Sequence, residues 1–182
     1  MKQHFRFDFT FPHNYQVGML EAAPPVHPIE KLYHYPAELE EGDRSGAYLR
    51  VTQQHGPAWV GFFALGFDSD QVVNQVCSTP DPERFCLVVG GYAYLVKASD
   101  PADWLRVEQR PVVDLRVLPQ LLLVLFAGFT SITAVSSSGI AWTTDRLTWE
   151  GLTITEIGGD KLLGHGWDAL ADKEVPFEVD LK

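Results

Sequence analysis

The chain has 182 residues, 46% of them hydrophobic and 21% charged, with a formal net charge of −10. That balance describes a globular domain able to bury an ordinary core and excludes a disordered chain. The acids are spread as seven in residues 1–50, eight in 51–135 and nine in 136–182, without any basic cluster, so no nucleic-acid partner is expected.

The opening segment alternates. Phe5, Phe7, Phe9 and Phe11 fall on one side and His4, Arg6, Asp8 and Thr10 on the other, which is the period of a strand with one buried face. Residues 12–45 break the pattern with five prolines and read as a long, proline-rich loop that serves a function or wraps the surface. Ala37 to Glu41 within it reads as a turn of helix. The loop carries His13, His27 and His34, at spacings that match no metal site, and no metal or cofactor is expected. Tyr33, His34 and Tyr35 read as a packing or partner-contact patch.

Short β-type runs follow at 47–53, 59–67, 85–89, 92–97, 112–118, 121–126, 131–135, 140–144, 152–157, 161–167 and 175–181, punctuated by Gly, Pro, Asp and Ser. Two stretches are less plain. Asp68 to Cys77 fits either a helical face or a β-branched strand. Ser99 to Trp104 carries a polar cap followed by proline and reads as the start of a helical turn. Cys77 and Cys86 flank a turn with two prolines and face each other across a hairpin in this reading. They are taken as reduced thiols packing as small apolar groups, with a redox pair as the alternative. Ile157-Gly158-Gly159-Asp160-Lys161 is a hairpin turn. The last run places Val175, Phe177, Val179 and Leu181 on one face, and Pro176 puts that strand at a sheet edge.

The fold expected is therefore all-β and mostly antiparallel, a two-sheet sandwich or flattened barrel in one domain, 1–182. Two echoes suggest an internally duplicated unit over 47–110 and 120–182. Phe62 to Phe67 is echoed by Leu125 to Phe129, and Gly91-Tyr92-Ala93-Tyr94 by Gly139-Ile140-Ala141-Trp142.

Chemistry concentrates near the C-terminus. In Gly164-His165-Gly166-Trp167-Asp168, the glycines would admit a close partner, His165 is a candidate acid or base, and Asp168 a base or orienter. Alternation puts His165 and Trp167 on one strand face and Asp168 on the other or in the turn, where it would cap the backbone. Trp142, Trp149 and Trp167 serve either as a binding platform for a protein or a sugar, or as core. No G-x-S-x-G elbow, P-loop, G-x-G-x-x-G or H-E-x-x-H is present.

The segments GGYAY at 90–94, GIAW at 139–142, LTWEGL at 147–152, GHGWD at 164–168 and FEVDL at 177–181 together resemble a group of uncharacterised bacterial β-rich proteins. The resemblance spans about residues 85–182 and implies no activity. Ser136 to Trp142 is similar to the Asp-box hairpin of sialidase-type propellers, with the Asp replaced and the spacing to Gly one short.

The function expected is that of a non-catalytic binding or protein-interaction protein of the bacterial cytoplasm. The start of the chain lacks the apolar core of a signal peptide, and the longest apolar run, Leu121 to Ala127, is too short to span a membrane. The alternative is a small carbohydrate-active or hydrolytic enzyme working through His165 and Asp168.

Overall fold

A strand with apolar residues at every position needs partners on both faces, and one with apolar residues at alternate positions needs a partner on one face only. The strands of this protein sort by that rule in the computed structural model, which describes residues 4–25, 30–37 and 45–182. Among the described residues sixteen strands form four sheets, and there is no α-helix.

After β1 (Arg6–Asp8), the first sheet contains β2 (Tyr15–Leu20), β3 (Lys31–Tyr35), β4 (Gly46–Gln53) and β5 (Trp59–Ala64), in the order β2-β4-β5-β3. The second contains β6 (Gln75–Ser78), β7 (Arg84–Val89), β8 (Tyr92–Lys97) and β9 (Asp100–Arg106), with β1 added parallel to β6. The third is β10 (Asp114–Leu118), β11 (Leu123–Ala127), β12 (Ile132–Ser136) and β13 (Gly139–Thr143), and the fourth is β14 (Glu150–Gly158), β15 (Lys161–Asp168) and β16 (Lys173–Asp180). All pairings are antiparallel except β1 with β6 and β3 with β5.

The sheets pack face to face in chain order through three apolar cores. Phe85, Leu87 and Val89 of β7 point towards the first sheet, while Cys86 and Val88 point towards the third. Likewise Val124 and Phe126 of β11 face the second sheet, and Leu123, Leu125 and Ala127 face the fourth. The first and second sheets meet across aromatic rings whose polar tips find backbone carbonyls. Tyr15 donates to Arg84 (3.0 Å), Tyr35 to Pro101 (2.8 Å), Trp59 to Ala98 (2.9 Å) and Tyr94 to Ala64 (3.0 Å). Burial holds the Tyr15 and Tyr35 phenols far above the usual tyrosine range, so both stay neutral donors.

The all-β, mostly antiparallel expectation is met, with sandwich-like packing. The layers number four rather than two, and none closes into a barrel. The loop expected over 12–45 contains β2 and β3, because Tyr15, Val17 and Met19 alternate into the first core between the prolines. The helical turn expected at 37–41 lies almost wholly outside the described residues. The turn expected at Ser99 to Trp104 is instead β9, since Trp104 is held against Tyr35 and Tyr94 by the first core. Asp68 to Cys77 resolves in favour of the strand only at its end, in β6.

The opening phenylalanines do not share a face. Phe5 and Phe9 pack on the first core and Phe11 is buried in the second, but Phe7 is 51% exposed, because β1 is only three residues long and the chain turns after Asp8. Gly159, at φ 61°, makes the β14–β15 hairpin as expected. Pro176 lies on β16, the edge of its sheet. Cys77 and Cys86 stand opposite each other on β6 and β7, both free and buried, and burial with the neighbouring Cys77 thiol pushes the Cys86 thiol up. Both Phe-Ala-Gly echoes leave a strand end, at Ala64 and Ala127, and both Gly-x-Ala echoes open the second strand of a hairpin.

Serial packing makes a mid-stack ring expensive to remove. Phe126→Ala is expected to lose about 3–5 kcal/mol of unfolding free energy, whereas Phe7→Ala is expected to lose under about 1 kcal/mol. Urea denaturation of both variants checks the contrast.

Candidate functional site

A serial stack leaves the outer faces of its first and last sheets without a neighbouring sheet. In the fourth sheet β15 alternates strictly, while β14 is interrupted by two register shifts. Leu152, Ile154, Leu162 and Val179 enter the third core, and Lys161, Leu163, His165 and Trp167 of β15 point outward. Trp167, on this outer side, is 39% exposed, and Trp149, just before β14, is 45% exposed. Their backbones are joined by the Trp149 N–H donating to the Trp167 carbonyl at 2.8 Å. The Arg146 guanidinium lies 5.0 Å from the Trp149 ring centre, a cation–π distance. Leu163 adds exposed apolar surface on the same strand face.

His165 faces outward opposite Thr153 and Pro176. Its Nδ1 is 3.4 Å from Glu174 Oε2, close enough for an ion pair when the ring is protonated but without hydrogen-bond alignment, so that nitrogen is buried and unsatisfied. Asp168 does not meet His165. Its Oδ1 accepts the Leu170 and Ala171 amides at 2.8 and 3.2 Å and so caps the turn into β16. Leu163, His165 and Trp167 form a flat strip, with Glu150 and Glu174 exposed on the strands alongside.

The glycines beside His165 admit a close neighbour, as their spacing suggests, but that neighbour is internal. A Cβ on Gly164 would stand 2.3 Å from the Phe177 ring, and one on Gly166 2.4 Å from the Thr148 methyl. Both glycines face the core and let β15 settle onto its support.

The other candidates disperse. Trp142 is half-buried on β13 against the third core, in a different sheet from Trp149 and Trp167. Tyr35 is fully buried, stacked on Phe63 at 4.5 Å, and is no contact residue. Tyr33 packs edge-on against Trp59, and His34 sits beside Phe62 at 5.7 Å. His13 donates to the Phe11 carbonyl at 2.9 Å, and His27 lies outside the described residues. Among the described residues no group of three His, Cys, Asp or Glu side chains is placed to hold a metal ion. No helix of the described residues is long and apolar enough to cross a membrane.

No family model matches the chain, and no curated protein matches it. Among solved structures it is similar to the N-terminal domain of Nup159, at 12% identity and a TM-score of 0.37, over 98% of this chain. The chain spans about half that structure's length, 54%. A likeness at this level carries no argument about fold or function.

The exposure of the tryptophan pair has a direct readout. Acrylamide quenching of tryptophan fluorescence is expected to fall by about half or more in the double variant Trp149→Phe, Trp167→Phe, because Trp59 is buried and Trp104 and Trp142 are half-buried. Trp59→Phe is expected to leave accessible quenching almost unchanged.

Proposed function

We propose that this chain is a non-catalytic protein-interaction module that presents the outer face of its fourth sheet to a basic protein partner. The supporting observation is two exposed tryptophans joined by one backbone hydrogen bond, with Trp167 on a face that no other sheet of the described residues covers. Large aromatic side chains supply much of the energy of protein interfaces when a partner desolvates them. The choice of a basic partner follows from the surroundings. Residues 150–182 hold eight acids and three lysines. Lys161 and Lys182 are engaged by Glu178 and Asp160, both at 2.5 Å, which leaves Glu150, Glu156 and Glu174 without a lysine or arginine partner among the described residues. A basic surface would approach this face with favourable steering.

The hydrolytic alternative has less support. A nucleophile or general acid–base pair needs its groups within hydrogen-bond reach in a cleft. His165 sits on an open face, and both turn contacts of Asp168 occupy the same carboxylate oxygen. A cytoplasmic setting belongs to the proposal, because Cys77 and Cys86 stand opposite each other as free thiols in a folded pair of strands.

Affinity capture from a bacterial lysate, quantified for the intact chain and for Trp149→Ala, Trp167→Ala, tests this reading. Basic proteins are expected on the intact chain, reduced more than about tenfold by the double variant, as for aromatic hot spots, and released by salt. A variant on the opposite end of the stack, Arg50→Ala, is expected to retain them. Capture that survives the double variant, with unchanged thermal unfolding, refutes the assignment of this face.

A further inference from the structure

A second feature lies at the free edge of the first sheet. Natural sheets blunt their edges with charges, prolines and bulges. Among the described edge strands, β1, β3, β9, β10, β14 and β16 carry charged side chains, and the pairing of β13 is broken by a register shift. β2 has no such device. Tyr15–Leu20 runs six residues without a charge or a proline, in unbroken register with β4, its one neighbour in the sheet.

The Gln54 amide donates to the Asn14 carbonyl at 3.2 Å, which sets the phase of the β2–β4 ladder. Antiparallel strands bond at alternate pairs. Gln16, Gly18 and Leu20 therefore bond β4, and the N–H and C=O groups of Tyr15, Val17 and Met19 point to the open edge. No backbone group of the described residues meets them there. A cleft of about 680 Å³ adjoins the Leu20 end of this edge, with Phe5, Phe7, Met19 and Leu65 in its wall. Its charged lining is acidic, Glu21 and Asp68, and neither carboxylate has an ion-pair partner among the described residues. Arg6 shares a neighbouring cleft with Asp68 without pairing with it.

An added strand would bond Tyr15, Val17 and Met19 through the residues directly opposite them, and directly opposed residues share a face of the sheet. The side chains of Tyr15, Val17 and Met19 enter the first core. The bonding residues of the partner strand are therefore apolar and extend that core at its rim. Past Leu20 the partner meets Glu21, with Asp68 in the same cleft, and a basic residue there answers the uncompensated charge. A second copy of this chain would arrive with the same net charge of −10 and with no lysine or arginine at either end of its β2. We infer that the open edge of β2 is a docking site for an extended peptide segment of a partner protein, apolar at alternate positions and basic at one end, added as a further strand of the first sheet. The site shares no residue with the tryptophan face and stands independently of the interaction proposed there.

The test uses the capped peptide Lys-Val-Thr-Val-Thr-Val-Lys, whose valines stand at the bonding positions. Its controls are the same peptide N-methylated at each valine and the same peptide ending in glutamates. Hydrogen–deuterium exchange of the whole chain is followed by ¹H–¹⁵N NMR. The lysine peptide is expected to slow exchange at the Tyr15, Val17 and Met19 amides saturably, and the two controls are expected to leave them fast. Val17→Pro removes a donor from the open edge alone, and is expected to weaken the midpoint about fivefold or more, the scale of one backbone hydrogen bond, with the rest of the spectrum native. Glu21→Gln, an exposed change, is expected to weaken it severalfold. The inference is overturned if the lysine peptide leaves those amides unprotected, or if either control protects them equally. It is equally overturned if Val17→Pro and Glu21→Gln bind as the parent does, or if the chain alone is dimeric with those three amides already slow, which assigns the edge to a second copy.

Discussion

The structure depends on the burial of both faces of its two middle sheets. In β7 and β11 every residue from Phe85 to Val89 and from Leu123 to Ala127 is buried, and successive side chains enter different cores. A one-residue slip of β7 against β8 would exchange Phe85, Leu87 and Val89 with Cys86 and Val88. The first core is built for large rings and the second takes small thiols and valines at those positions, so the slip would overfill one and leave voids in the other. Register in the middle of the stack is therefore fixed by volume. Polarity fixes it only at the ends, where β4 and β15 alternate between apolar and polar residues.

The same arrangement creates the exposed faces. Each internal sheet is covered by its neighbours in the stack, but the first and fourth have a neighbour on one side alone. The two ends are finished differently. On the outer side of the first sheet, Tyr48, Phe62 and His34 pack on one another, with ring centres 4.9 and 5.7 Å apart, and Arg50 pairs with Glu30, so polar tips and a charge pair dress that surface. At the fourth sheet no ring of the described residues packs on Trp149 or Trp167, and Arg146 lies over Trp149. The asymmetry singles out the fourth sheet as the face with apolar area left to bury.

What could be read from the sequence follows the same physics. Most strands, β4 and β5 of the first sheet among them, were legible because uninterrupted apolar runs and clean alternation are both strong signals, and Tyr92 to Lys97 was bounded correctly. β2 and β3 were hidden by the prolines around them, although the alternation of Tyr15, Val17 and Met19 was present. β9 was misread because a polar residue followed by proline marks a helix start only when helical apolar spacing follows, and here Trp104 was drawn into a sheet instead. The turn role of Asp168 and the shared strand face of His165 and Trp167 followed from period two, but that this face turns outward did not. The placement of Glu174 beside His165 had no local signal. It arises from a pairing across strands, His165 with Pro176, that no spacing along the chain encodes.

The fourth sheet has an open edge as well as an open face, and a partner might be expected to use either. Adding a strand to β16 would require a row of free backbone donors on a flat, uncharged edge. β16 instead carries Pro176 at its centre, which removes one donor, and Glu174, Glu178 and Asp180 along its length. Prolines and charges are how natural sheets discourage edge pairing. Lys161 reaches across to Glu178, and the Lys182 amide donates to Asp180, so the strand's own charges are tied back to its sheet. With this edge blunted and the inner side committed to the third core, Leu163 and Trp167 leave exposed apolar surface on the outer face, with Trp149 exposed beside β14. Recognition beside β16 is therefore a matter of side chains meeting a partner's surface rather than of an added strand.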